Sequence, residues 1–150
     1  MKRLFFIFTF FCLTQAVVAQ SPHEAVLDFF DAFHRKDSLQ LQSLVADKAR
    51  LQSTGIDPQG EIFLRNTPME RFIQAVSTRP DKPVWKEVLG TPTVLEDTPL
   101  ALVWVPYTFY LDESKHHKGV NCFQMIKELT GWKIISIVDT RQPIEQSVKK

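Results

Sequence analysis

Cysteine is almost missing from this sequence: 150 residues hold two, Cys12 and Cys122. No cysteine pair and no His-Glu-x-x-His spacing occurs, so neither a zinc ribbon nor a helical zinc-hydrolase site is written here. Gly-x-Ser-x-Gly, phosphate-binding loops and dinucleotide fingerprints are missing too, which removes the readings those motifs carry. Positive charge is not clustered. No run of more than two Lys or Arg occurs, and nothing supports a nucleic-acid partner. His116 and His117 are neighbours, but adjacent strand residues point to opposite faces, so they are not expected to chelate one ion. Neither a metal nor a cofactor is expected.

What is present begins with a leader. Met1-Lys2-Arg3 is basic, residues 4–13 are apolar except Thr9, and Val17-Val18-Ala19 offers short side chains. This is the layout of a secretory signal, with cleavage expected after Ala19 and delivery to the periplasm or the medium. The apolar run is shorter than the roughly 20 residues that span a bilayer, so no membrane association is expected after cleavage. Removing 1–19 leaves 131 residues, enough for one domain with one core. With Lys2 and Arg3 gone, 16 basic residues face 17 acidic ones, a mature charge of −1. Cys122 is then the lone cysteine, so an exported chain must rely on packing instead of a disulfide. The domain is expected over 20–142, followed by a polar tail at 143–150.

Helix signals come first along the chain. Ser21-Pro22-His23-Glu24 and Thr67-Pro68-Met69-Glu70 each place a capping hydroxyl, a proline and a carboxylate where a helix start wants them. Val26, Phe29, Phe30 and Phe33 form one apolar stripe, and Met69, Phe72, Ile73 and Val76 another. A shorter helix starting at Asp37 or Ser38 would use Leu41, Leu44 and Val45. A small hairpin is expected over 49–53 and 61–65, and strands over 84–95, 100–111, 118–128 and 132–139. The order helix, helix, hairpin, helix, then four strands predicts an α+β fold. In it a cone-shaped, curved antiparallel sheet wraps around the N-terminal helices. Apolar residues occupy both faces of the last strands, so the sheet needs a cover on each side. The helices supply one; a second copy of the sheet could supply the other.

The element order resembles the nuclear transport factor 2-like superfamily, and so do three strings: Ala101-Leu102-Val103-Trp104-Val105-Pro106-Tyr107-Thr108-Phe109, then His117-Lys118-Gly119-Val120-Asn121-Cys122-Phe123-Gln124, then Gly131-Trp132-Lys133-Ile134. The chain is especially similar to exported, lumazine-binding-like bacterial members. The resemblance implies a homodimer formed through the outer face of the sheet. It leaves the activity open, because ketosteroid isomerases, cyclases, dehydratases, ligand binders and transport dimers share the scaffold. The isomerases use a tyrosine of the first helix, and residues 22–36 contain none.

Several side chains are candidates for chemistry. Asp139 closes an apolar run, where a desolvated carboxylate could act as a general base; alternatively it pairs with Arg141 or is solvated at the rim. Alternation puts His117 on one face with Gly119, Asn121 and Phe123, so His117 and Asn121 are either polar contacts on an apolar wall or rim residues. Trp104 and Tyr107 belong on opposite faces of a regular strand, unless a bulge at Pro106 turns both rings to one side. Glu87 and Arg65 are single charges that could form an internal ion pair, hold an acidic ligand, or simply face solvent. Cys122 reads as a buried thiol. The leading expectation is a protein that binds a small, largely apolar molecule between the first and third helices and the sheet. Phe30, Phe33 and Phe72 would form its wall, with Trp104, Tyr107, His117, Asn121 and Asp139 orienting the ligand. The alternatives are a cofactor-free isomerase, cyclase or dehydratase with Asp139 or His117 as base, and a non-catalytic interaction module.

Overall fold

Ser21 and Glu24 close a reciprocal capping box: the Glu24 amide donates to the Ser21 hydroxyl (3.2 Å), and the Ser21 amide to the Glu24 carboxylate (2.7 Å). This starts helix α1 (Pro22–Arg35), which ends on Lys36 in the left-handed conformation, φ 62°. The computed structural model describes residues 20–144; the expected leader at 1–19 and the end of the expected tail, 145–150, lie outside the described residues. Asp37 caps α2 (Ser38–Leu44) by accepting from the Gln40 amide. Strands β1 (Val45–Ile56) and β2 (Ile62–Pro68) follow, then α3 (Met69–Thr78), β3 (Trp85–Leu89), β4 (Thr93–Asp97), β5 (Leu100–Leu111), β6 (Ser114–Glu128) and β7 (Gly131–Pro143). None of the described helices is long and apolar enough to cross a membrane.

Seven strands form one curved, open sheet in the order β2-β1-β7-β6-β5-β3, with β4 also on β5. The pairing is antiparallel except for β1 and β7, which run parallel. Alternation cannot show that exception, because a strand's side-chain pattern reads the same in either direction. The strand expected over 84–95 is two. β3 pairs with the far half of β5 and β4 with the near half, and Gly90 bridges them by donating to the Pro106 carbonyl. The second capping box does not form. Thr67 and Pro68 stay in β2, paired with Leu51 and Arg50, so α3 starts at Met69 without a side-chain cap.

The core lies between the helices and the inner face of the sheet. Val26, Phe29, Phe30 and Phe33 of α1 are all buried, as are Met69, Ile73 and Val76 of α3. They pack with Val103 and Val105 of β5, Phe123 and Met125 of β6, and Ile134 and Ile137 of β7. Phe72 stacks on Phe29 and on Phe33, with centroids 6.1 and 6.2 Å apart, and Phe123 meets Phe29 and Phe30 edge-on. Each such buried ring is worth roughly 1.5–3 kcal/mol of transfer free energy. Those rings fill the end of the cone nearest the helices.

Candidate functional site

Away from the helices, the inner face of the sheet turns polar. Arg65 and Ser53 are paired on β2 and β1, Ser53 and Asp139 on β1 and β7, and Asp139 and Asn121 on β7 and β6, so four polar side chains lie in one row. Asp139 is 5% exposed, and both its oxygens are used. Ser53 donates to one at 2.5 Å; Tyr107 at 3.3 Å and Arg141 at 2.9 Å donate to the other. The Asp139–Arg141 pairing expected from sequence is present.

Tyr107 reaches this cluster across an intervening strand. It sits on β5 opposite Gly119 of β6, and its hydroxyl donates to the Thr140 carbonyl of β7 at 2.9 Å. Gly119 lies close against β7, where a Cβ would come 1.8 Å from the Thr140 carbonyl oxygen. Burial, then the charges of Asp139 and Glu87, push the Tyr107 phenol well above its ordinary range, so it stays a donor.

Glu87 is the other internal carboxyl. It does not pair with Arg65; the Asn121 amide donates to it at 2.6 Å. Burial pushes Glu87 up to about 7, although the Asn121 bond opposes this, and the Asp139 charge adds to the rise. Sequence carried one signal for it, a single acid alternating with Trp85 and Leu89. That pattern shows a face but not its environment.

His117 stands at the open end. Its ring lies 4.9 Å from Phe109 and edge-on to Tyr107 at 5.6 Å. Burial first, then the charges of Arg141 and His116, pull the imidazole down to about 4, so it is neutral at pH 7. The expectation that His116 and His117 face opposite ways fails here. Phe109 pairs with His117 while Tyr110 pairs with Lys115, so a bulge absorbs His116, and the two Nδ1 atoms come within 2.8 Å. No group of three or more metal-ligating side chains occurs among the described residues.

A groove of about 450 Å³ opens at this end. One wall is the β1–β2 turn with Ile56, Asp57 and Pro58; Phe63 and Arg65 of β2 form the floor. The facing wall is His116, His117 and Arg141, continued by Gln142 and Pro143. A second groove, of about 270 Å³, lies beside Val45, Met69 and Ile73, next to α2 and α3; the larger one lies at the strand end. Phe30, Phe33 and Phe72 belong to the core and do not line it. Tyr107, Asn121 and Asp139 lie beneath it as a buried network, and of the expected ligand contacts only His117 is in its wall. Trp104 is elsewhere. Pairing runs regularly through Pro106, so no bulge turns Trp104 inward, and it stands 46% exposed on the outer face opposite Cys122. Sequence reading missed the contribution of the turn and of Phe63, because nothing local says that β2 curls over the mouth.

No protein-family model and no curated protein matches the sequence. Solved structures do match its fold. An NTF2-like protein from Cytophaga hutchinsonii is 17% identical, with 82% of this chain and 100% of that one covered and a TM-score of 0.61. An NTF2-like protein of unknown function from Shewanella baltica is 13% identical, with 81% and 90% covered and a TM-score of 0.56. A proposed dehydratase of the NTF2-like family from Streptomyces avermitilis is 16% identical, with 79% and 91% covered and a TM-score of 0.56. Helices followed by a curved sheet, in the same arrangement as these proteins, make this a chain of the nuclear transport factor 2-like fold.

Proposed function

We propose that this is an exported, homodimeric protein that binds a small, partly apolar molecule at the open end of its cone. The carrying observation is the groove of about 450 Å³, a size suited to a small organic ligand, in which aromatic and apolar surface alternates with a few fixed polar groups. Export rests on the leader-like residues 1–19. Pairing rests on the outer sheet face, where Leu95, Leu100 and Trp104 are 63%, 53% and 46% exposed. A binder is favoured over an enzyme because the shifted titratable group in the groove wall, His117, has lost its basicity, and Asp139 lies beneath the groove, held by Ser53, Tyr107 and Arg141.

One observation favours catalysis. Glu87, pushed up to about 7 beside Asn121, has the proton affinity of a working acid–base group, and one structure of this fold is described as a proposed dehydratase. Glu87 does not line the groove, which leaves this reading second. Native mass spectrometry of the mature protein purified from its own host tests the first: it should show a dimer carrying a small-molecule adduct that is released on denaturation. A monomer without any adduct overturns the proposal.

A further inference from the structure

The groove has a charge character that narrows its ligand, and the inference rests on the binding function proposed above. Two guanidiniums enter it, from Arg65 on β2 and Arg141 on β7, the strands on either side of β1. Arg141 is held by Asp139 through Nε alone, and among the described residues its two Nη atoms have no hydrogen-bond partner. Arg65 makes no ion pair among the described residues; its guanidinium lies 5.6 Å from the Phe63 ring centroid. Asp57 is the acid in the lining, and one of its oxygens already accepts from the Gln59 and Glu61 amides. Cationic donors therefore outnumber free acceptors.

The rest of the lining is flat and weakly polar. Phe63 lies against Gly55, where a Cβ would come within 2.9 Å of the ring, and the Arg65 guanidinium lies over the same ring. His117, a neutral imidazole backed by Phe109, belongs to the same lining. Guanidinium forks match a carboxylate's two oxygens, and flat apolar walls match a planar ring.

We infer that the ligand is a small aromatic carboxylate, its acid group held by Arg65 and Arg141 and its ring laid between Phe63 and His117. Calorimetric titration with 2-naphthoate and its neutral analogue 2-naphthalenemethanol tests this. Wild-type protein should bind the acid at least about tenfold tighter, the discrimination expected of one charge-assisted contact. Arg65→Gln, at an exposed position, should lower that preference severalfold, with Arg141 keeping the remainder, while the melting temperature stays put. Equal affinity for acid and alcohol in wild type overturns the anionic class but leaves a binding protein. Undiminished preference for the acid in Arg65→Gln overturns the role of Arg65. Binding of neither probe overturns the inference, and a neutral adduct in native mass spectrometry then shows whether the binding function itself survives.

Discussion

Glu87 is the residue whose environment has the most direct thermodynamic consequence. Its folded-state pKa of about 7 lies above the ordinary 4.5, so between those values the unfolded chain releases a proton that the native state keeps. Stability therefore falls as pH rises through that window and levels off above 7, by up to ~3 kcal/mol. His117 acts in the opposite sense. It takes up its proton near 6.5 when unfolded but only near 4 when folded, so it costs stability as pH falls between those values. Glu87→Gln keeps an acceptor for Asn121 and leaves His117 in place, so comparison with wild type isolates the carboxyl. Urea titrations should find the two proteins alike near pH 4.5 and the variant ahead by up to ~3 kcal/mol at pH 8. A difference that does not change with pH would mean that Glu87 is solvated in the native state.

At the scale of elements, much was legible and the failures are specific. The apolar stripe of α1 needed only periodicity, since a helix with four large residues on one side must bury them. Period-two alternation put His117 and Asn121 on one face of β6 and Trp104 and Tyr107 on opposite faces of β5, and the second holds because regular pairing runs through Pro106. It failed at His116, where a bulge changes the count by one, and at residues 84–95, where Gly90 hands the edge of β5 from β3 to β4. The groove was not legible, because it needs the curl of the β1–β2 hairpin over the ends of β6 and β7, a tertiary fact with no local signature. The contact of β6 with β7 supplies a prediction at this scale. Gly119 is pinched against the Thr140 carbonyl, so Gly119→Ala must push the two strands apart and carry Tyr107 away from Thr140 and Asp139. The expected loss is about 2–3 kcal/mol in urea unfolding, in the range for overpacked sites. A change below ~0.5 kcal/mol would show that the strands are not held that close.

For the molecule as a whole, the open question of stability is the outer face of its sheet. Asp97, Leu100, Ile126 and Lys133 form one cross-strand row, Leu95, Leu102, Gln124 and Ser136 the next, and Thr93, Trp104, Cys122 and Val138 a third. Leu95, Leu100 and Trp104 are the large apolar side chains exposed in these rows. The proposed pairing would cover this face, and a stable pair needs roughly 800 Å² from each partner. Cys122, expected to be buried, is half-buried beside Trp104, and desolvation pushes its thiol up. Trp104, the largest side chain there, is the natural anchor of a two-fold contact, since the same residue then serves both copies. Size-exclusion chromatography with light scattering should give a dimer mass for wild type at tens of micromolar. Trp104→Lys, which places two like charges at the centre of the contact, should give a monomer that keeps the groove and its ligand affinity. A wild-type monomer would leave the outer face to another partner. A dimeric Trp104→Lys protein would move the contact elsewhere on the molecule. Loss of ligand affinity along with the dimer would mean that the open end of the cone is completed by the second copy.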